Sequence, residues 1–199
     1  APAALRGTLP PVMSPEWIAA TAFELGATVT EVRPHGRGLI NDTFLVTLAG
    51  APARHAILQR LNRRVFPQPE LLMENLRTLL RHVAQRQQRG GRDLRLPAIY
   101  PARTGRDFFV DPQGEVWRVL SYIDNTRSLD TLRDARAAEQ VGYALGRFHE
   151  LTHDLDIRRL HVTRPGFHNT PRYYARFREA VAQLADRPRH DELDECLAF

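Results

Sequence analysis

Residues 43–61, TFLVTLAGAPARHAILQRL, contain two runs of apolar and β-branched side chains on either side of a turn at Gly50 to Pro52. Such residues favour strands, whereas glycine and proline favour the connection between strands. Thr43 to Leu48 and His55 to Leu61 therefore predict a β-hairpin. A similar run, Thr28 to Arg33, precedes the hairpin and predicts another strand.

The pattern changes from strand to helix after this hairpin. Apolar side chains mark one face of a helix that we expect to run to about Gln88: Leu72, Leu76, Leu79, Leu80 and Val83. Gly90 and Gly91 end this helix. A shorter helix is predicted near the N-terminus, with Ser14 as its N-cap and Pro15 at its first position.

Three further strands and two helices complete the pattern. We expect strands at Pro97 to Tyr100, Asp107 to Val110 and Glu115 to Ile123, with a turn at Asp111 to Gly114. Helical spacing returns with Ala138, Val141, Leu145, Phe148 and Leu151, and again at about Arg172 to Ala185. This order predicts an α+β fold with a hinge near Ile123 to Thr126. We expect one domain at 1–123 and a second region at 124–199.

The composition limits the class of protein. No apolar stretch reaches the ~18–20 residues that a membrane span requires. Ala1 to Pro11 lacks the charged and apolar regions of a signal peptide. The single cysteine, Cys196, excludes an intramolecular disulfide and fits a reducing compartment. We therefore expect a soluble, cytoplasmic protein without a membrane partner.

The charge raises the question of nucleic acid, because the net charge is +5 and the pI is about 10.1. All 28 basic residues are arginine, and they are scattered among 23 acidic residues except for a modest cluster from Arg77 to Arg95. A solvated surface explains this distribution better than a nucleic-acid patch does. We expect no nucleic-acid partner, and any phosphate-binding cation must be arginine.

The connection between the first two predicted strands is a candidate ligand loop. Gly36 and Gly38 allow a tight turn and a close approach of the backbone to a ligand. Asn41, Asp42 and Thr43 add polar groups at its exit, and backbone N–H groups of such a loop can hold a phosphate. The alternative is an ordinary β-turn, which two glycines form more often.

A candidate ion pair follows the loop. Arg60 shares one face of its predicted strand with Leu58 and Ala56, and a half-buried cation needs a counter-charge. Glu74 on the next helix would supply it. A strand cation paired with a helix carboxylate is the arrangement by which protein kinases orient nucleotide phosphates. The alternative is an unrelated arginine and glutamate on the surface.

The third candidate feature is the segment from Trp117 to Asp124, which runs from a buried strand into a polar hinge. The backbone of such a connection can bind the edge of an adenine, with Tyr122 and Ile123 as walls. The alternative is a core strand that simply ends. Glycine loop, cation strand, acidic helix and hinge occur in one order, and this order favours a nucleotide site.

In these segments the chain resembles the aminoglycoside phosphotransferase and choline kinase superfamily, and within it the N-acetylhexosamine 1-kinase branch. The resembling segments are Gly38 to Phe44, Ile57 to Asn62, Val65 to Pro67, Met73 to Asn75, Leu145 to His149 and Phe167 to Tyr173. The run from Ile57 to Asn75 and the segment Phe167 to Tyr173 are the more specific, whereas Leu145 to His149 is common in the superfamily.

The resemblance implies a protein-kinase-like fold, with an N-terminal β-sheet lobe that contains one helix and the first helices of a helical C-terminal lobe. It implies ATP and Mg²⁺ as cofactors of the complete enzyme, and a sugar or amino sugar as its small-molecule substrate. The residues that it places around the nucleotide are Gly36, Gly38, Asn41, Asp42, Arg60, Glu74, Ser121, Tyr122 and Ile123.

The resemblance also gives these residues roles. Gly36 and Gly38 would lie above the phosphates. Arg60 would take the place of the phosphate-binding strand lysine, with Glu74 as its partner. The residues from Ser121 to Ile123 would form the hinge that faces the adenine.

The superfamily's catalytic motif, His-x-Asp-x-x-x-x-Asn, has no match in the sequence. His190 directly precedes Asp191, and Cys196 stands where the motif requires asparagine. We therefore expect no catalytic base and no metal ligand in these 199 residues, which would be the N-terminal portion of a kinase and inactive alone. The alternative is a catalytically dead, kinase-like binding module. The acceptor, the choice between ATP and GTP, and the oligomeric state stay open.

Overall fold

The structure is a computed structural model that describes residues 14–36, 38–50, 54–90, 94–126, 131–183 and 195. Several expectations lie outside these residues: the missing signal peptide at Ala1 to Pro11, the single Cys196, the partial motif at His190 and Asp191, and the last two residues of the final helix. The chain divides into two compact units, Ala1–Thr163 and Arg164–Phe199. The expected boundary after residue 123 stays a prediction.

The strands that the structure describes form one antiparallel sheet. They are β1 (Thr28–Pro34), β2 (Asp42–Ala49), β3 (His55–Leu61), β4 (Ile99–Tyr100), β5 (Phe109–Val110) and β6 (Val116–Ser121). Their order is β1-β2-β3-β6-β4, and β5 also pairs with β6. The predicted hairpin is confirmed, since β2 pairs with β3 from Asp42–Arg60 to Thr47–His55.

The helices begin where the sequence provides a suitable first turn. They are α1 (Pro15–Thr21), α2 (Pro69–Gln88), α3 (Ala135–Thr152) and α4 (Thr170–Gln183), with a short 3₁₀ turn at Ile157–Arg159. Proline begins α1 and α2, where its missing N–H is no loss. The Asp134 carboxylate accepts a hydrogen bond from the Ala137 backbone N–H at 2.7 Å and caps α3. These elements confirm the predicted α+β class.

One face of the sheet packs against α1 and is here called the α1 face. Its core contains Ala19, Ala20, Phe23, Val46, Leu48, Ala56, Leu58, Trp117 and Val119. Leu58, Val46 and Val119 are 0% exposed. Burial of each such side chain stabilises the fold by about 1.5–3 kcal/mol, so this face forms the main core.

The opposite face, here called the α2 face, packs against α2. Leu61 and Val116 of the sheet form a second cluster with Met73 of α2 and with Phe108. Successive side chains of a strand point to opposite faces. Ile57, Gln59 and Leu61 therefore lie on the α2 face, whereas Ala56, Leu58 and Arg60 lie on the α1 face.

Polar contacts fasten α2 to the residues that follow α3. The Asn75 side chain donates to the His161 carbonyl at 2.8 Å and accepts from its N–H at 2.7 Å. His82 Nε2 lies 3.0 Å from an Asp154 carboxylate oxygen. Desolvation acts to raise the pKa of Asp154, but the hydrogen bond to His82 and the charge of Arg86 lower it below its usual range. None of the described helices is both long and apolar enough to span a membrane.

Candidate functional site

Two rows of side chains cross the α2 face of the sheet. Strand pairing places Thr43, Gln59 and Arg118 side by side on β2, β3 and β6, and we call them the polar row. The same register places Leu45, Ile57 and Leu120 side by side, and we call them the apolar row. Residues two apart on a strand are separated by about 6.6–6.8 Å, so the rows are immediate neighbours.

Hydrogen bonds connect the polar row from end to end. Gln59 Nε2 donates to Thr43 Oγ1 at 3.2 Å. Arg118 donates to Gln59 Oε1 through Nε at 3.0 Å and through Nη2 at 2.8 Å. The Gln59 amide is thus held from both sides, with its carbonyl oxygen directed at the guanidinium.

The positive charge of Arg118 has only neutral partners in the described part of the chain. Beyond Gln59, its Nη1 lies 3.9 Å from the Met73 sulfur, which is a weak acceptor. Burial lowers the pKa of Arg118, because desolvation disfavours the charged form. An arginine remains protonated in a protein, so the α2 face carries a partly buried cation whose charge these contacts leave unbalanced.

The glycine loop lies at the Thr43 end of the polar row. Gly36 has a φ of +74°, which favours glycine. At Gly38, an added Cβ would lie 2.8 Å from the Asn41 carbonyl oxygen and 3.6 Å from Thr43 Oγ1. The Asn41 side chain accepts from the Asn62 N–H at 3.0 Å and fixes the loop to the end of β3. Both glycines are therefore required by the backbone path of the loop.

Arg60 lies on the α1 face, away from the polar row. Its Nε donates to an Asp42 carboxylate oxygen at 2.9 Å, and its guanidinium lies 5.8 Å from the centre of the Trp117 ring. The hydrogen bond to Asp42 raises the pKa of Arg60. Glu74 instead lies 2.8 Å from His161 Nε2. The expected Arg60–Glu74 pair is therefore wrong, because strand alternation turns Arg60 away from the face on which α2 packs.

The hinge meets the glycine loop through aromatic contacts. The Tyr122 ring makes edge-on contacts with the His55 ring at 5.5 Å and the His35 ring at 6.2 Å between centroids. Ser121 exchanges two hydrogen bonds of 2.8 Å with the backbone of Ala98. Tyr122 thus stands beside the apolar row, between the start of β3 and the loop. Sequence reasoning missed both histidines, although His55 shares the alternation of Ile57 and Gln59.

Two cavities lie near these features. One of about 710 Å³ is bordered by α2, the segment 94–99 and the hinge residues from Ser121 to Asp124. The other, of about 520 Å³, is polar and is lined by Asp42 and Arg60 among other residues. Neither cavity is lined by Gly38 or by any residue of the polar row, so we assign the candidate site to the two rows on the α2 face and the glycine loop at their end.

A metal ion finds no ready-made site in the described residues. Within these residues, no three His, Cys, Asp or Glu side chains converge in a way that could hold one. Asp42, the carboxylate at the glycine loop, is paired with Arg60. We therefore assign no Mg²⁺ ligand.

The segment Phe167 to Tyr173 lies in the second unit and leads into α4, which begins at Thr170. The Asn169 side chain accepts from the Arg172 N–H at 3.1 Å and caps the helix. The Arg164 guanidinium stacks on Phe167, 3.5 Å from the ring centre. These contacts give the segment a structural role within its own unit.

Comparison with known proteins gave similar folds but no matching family model. An aminoglycoside phosphotransferase from Alicyclobacillus acidocaldarius subsp. acidocaldarius DSM 446 has a TM-score of 0.52 at 16% identity, over 96% of this chain and 49% of its own. A microcompartment-associated aminopropanol kinase has a TM-score of 0.47 at 20% identity, and the match covers 74% of this chain and 41% of that chain. An amicoumacin kinase in complex with AMP-PNP, Ca²⁺ and Ami has a TM-score of 0.48 at 14% identity, and the match covers 85% of this chain and 51% of that chain.

The first of these comparisons shows the fold. The fold is similar to that of part of an aminoglycoside phosphotransferase structure, which confirms the expected α+β, kinase-like architecture. This chain spans about half the length of the solved structures it matches. The N-acetylhexosamine kinase branch stays a prediction from the sequence.

Proposed function

We propose that the α2 face is the nucleotide half of a small-molecule phosphotransferase, and that the complete enzyme transfers phosphate from ATP to a sugar or amino sugar. The observation that supports this most strongly is an apolar row beside a polar row whose Thr43 end adjoins the glycine loop. A nucleotide has the same division, with a flat apolar base at one end and charged phosphates at the other.

The base end of the proposed site is the apolar row. Ile57 and Leu120 are partly exposed, whereas Leu45 is buried beside them, so Ile57 and Leu120 are the side chains that an adenine ring could contact. Apolar contact is the main contribution that such a surface makes to binding. Tyr122 closes this end by its contacts with His55 and His35. Ser121, Tyr122 and Ile123 remain the proposed hinge residues for the edge of the base.

The phosphate end of the proposed site is the glycine loop with the polar row. At Gly36 and Gly38, backbone N–H groups can approach phosphate oxygens without obstruction by a side chain. Asn41 keeps the loop attached to β3, and Asp42 holds Arg60 on the other face. We propose that Gly36, Gly38 and Asn41 shape the phosphate site, that Asp42 borders it, and that Glu74 acts by positioning His161.

The acceptor and the catalytic step depend on residues beyond this face. The proposal of a sugar or amino sugar rests on the resemblance of residues Ile57 to Asn75 and Phe167 to Tyr173 to the N-acetylhexosamine 1-kinase branch. When bound, Mg²⁺ and ATP would supply charge neutralisation and the transferred phosphoryl group. Because the sequence has no catalytic motif of the superfamily, we expect the 199 residues alone to be inactive.

Phosphotransfer by the full-length protein tests this proposal. We expect ADP release from ATP in the presence of N-acetylhexosamines, and none in their absence. Choline-like alcohols and aminoglycosides are the comparison substrates. Absence of turnover with all three classes would contradict the proposed activity.

The second candidate is a kinase-like module that binds nucleotide without transferring phosphate. Binding of ADP by the full-length protein, with no phosphotransfer to any acceptor, would support this candidate over the first.

A variant of the glycine loop tests whether Gly38 contributes to nucleotide binding or only to the backbone path of the loop. Gly38→Ala places a methyl group at 2.8 Å from the Asn41 carbonyl, whereas Gly142→Ala on α3 has open space at the same position. We expect Gly38→Ala to weaken nucleotide binding and Gly142→Ala to leave it unchanged. Equal affinities for the two variants would count against a phosphate under the loop.

A further inference from the structure

The phosphate end of the proposed site needs a cation, and two arginines are available beside Gln59. Nucleotide-transferring sites neutralise phosphate charge with a basic side chain. On β3, the residue that faces the site is Gln59, which is neutral, and the sequence contains no lysine. Arg60 is its neighbour along β3, and Arg118 is its partner on β6.

Arg60 is poorly placed for this role. Its guanidinium is paired with the Asp42 carboxylate and lies against Trp117, and both contacts are on the α1 face. A phosphate approaching this guanidinium would have to compete with a carboxylate and would meet its negative charge. The structure therefore gives Arg60 an ion-pair partner of its own, away from the glycine loop.

Arg118 has the complementary properties. It is on the α2 face, in the same row as Thr43, whose hydroxyl adjoins Gly38. Gln59 occupies Nε and one hydrogen of Nη2, which leaves Nη1 with the Met73 sulfur as its only described contact. A phosphate oxygen would replace this weak contact by a charge-assisted hydrogen bond.

We propose that Arg118 is the cation that binds the phosphates of the nucleotide, and that Gln59 holds its guanidinium in the orientation this requires. The inference rests on the proposed nucleotide site and specifies its phosphate-binding residue. The cation thus reaches the phosphates from β6, across a glutamine, instead of directly from β3. The ligand chemistry is that of a nucleoside diphosphate or triphosphate.

Binding of ADP and of adenosine to the full-length protein, measured by titration calorimetry, tests the assignment. We expect Arg118→Met to lower the affinity for ADP about tenfold or more and to change that for adenosine less than about twofold, because one charge-assisted contact to phosphate is lost. Arg158→Met removes an equal charge from a side chain that is 87% exposed, and serves as the control. Unchanged ADP affinity in Arg118→Met would overturn the inference.

Gln59→Glu tests whether Arg118 binds the nucleotide or only stabilises the fold. It also provides a test if the Arg118→Met variant does not fold. The new carboxylate gives Arg118 a counter-ion, so we expect the melting temperature to stay level or rise while ADP affinity falls about tenfold. An ADP affinity that does not fall in Gln59→Glu would show that Arg118 does not bind the phosphates, and the inference would be wrong.

Titrations of the wild-type protein distinguish a wrong assignment of Arg118 from a wrong nucleotide site. If the wild-type protein binds neither adenosine nor ADP, the nucleotide site itself is wrong. If it binds both, and ADP affinity is lost in Arg60→Gln but not in Arg118→Met, the site is right and the phosphate cation is Arg60.

Discussion

The two faces of the sheet differ in what they bury. The α1 face is a closed apolar core in which Leu58 and Val119 are fully buried, and its ion pair between Arg60 and Asp42 lies at an exposed edge. The α2 face instead carries a polar row beside its apolar residues, with a partly buried arginine that has neutral partners. Polar groups in such a position stabilise a fold little, because each gives up water for its partner. The first face maintains the fold, and the second is suited to a ligand.

Neighbouring residues of β3 make this difference clearest. Leu58 is 0% exposed on the α1 face, whereas Ile57 is partly buried in the apolar row. We expect Leu58→Ala to lower the free energy of unfolding by about 2–5 kcal/mol, because it leaves a cavity in the core. Ile57→Ala should lower it by less and should weaken adenosine binding.

Urea unfolding and adenosine titration of both variants measure these effects. A larger loss of stability from Ile57→Ala than from Leu58→Ala would reverse the assignment of the faces.

A buried carboxylate at the edge of the α1 face gives the next largest effect. Asp111 accepts from Trp117 Nε1 at 2.8 Å and from the backbone N–H groups of Gln113 and Glu115 at 2.9 Å. We expect Asp111→Ala to lower the free energy of unfolding by about 1–3 kcal/mol, because three hydrogen-bond donors lose their acceptor. Asp111→Asn retains one acceptor oxygen and should cost less.

Thermal unfolding ranks these two variants, and neither should change ADP affinity. A loss of ADP affinity in both, at a temperature where they are folded, would connect the α1 face to the ligand.

The Arg60–Asp42 pair should give the smallest effect. The Arg60 and Asp42 side chains are 42% and 56% exposed, so water screens their charges. We expect Asp42→Asn to change the free energy of unfolding by less than about 1 kcal/mol, and the difference to shrink in 1 M salt. Chemical unfolding at two salt concentrations measures it, and a loss above 2 kcal/mol would show that the pair has a larger structural role.

The sequence was sufficient to predict the elements but not the faces. The β2–β3 hairpin and α2 follow from local patterns, and the predicted turn at Asp111 to Gly114 is closed by a 2.9 Å hydrogen bond between its ends. On β3, however, Ala56 and Leu58 on one side and Ile57 and Leu61 on the other are equally apolar. The alternation of side chains therefore could not predict which face of the sheet α2 would cover. It also could not predict whether Arg60 lies on that face.

The polar row was missed for a related reason. The sequence pattern that predicts a phosphate site is a strand cation paired with a helix carboxylate, and Gln59 is neutral. Its link to Arg118 spans 59 positions and depends on the pairing of β3 with β6. A register between distant strands is set by the whole sheet, so no local pattern contains it.

The most direct test of a ligand site on the α2 face is an NMR titration of the full-length protein with ADP, followed through side-chain signals on both faces. We expect the Gln59 amide and the Arg118 Nε–H to shift, and the Trp117 indole N–H on the α1 face to stay in place. Shifts at Trp117 without shifts at Gln59 and Arg118 would contradict the site proposed here.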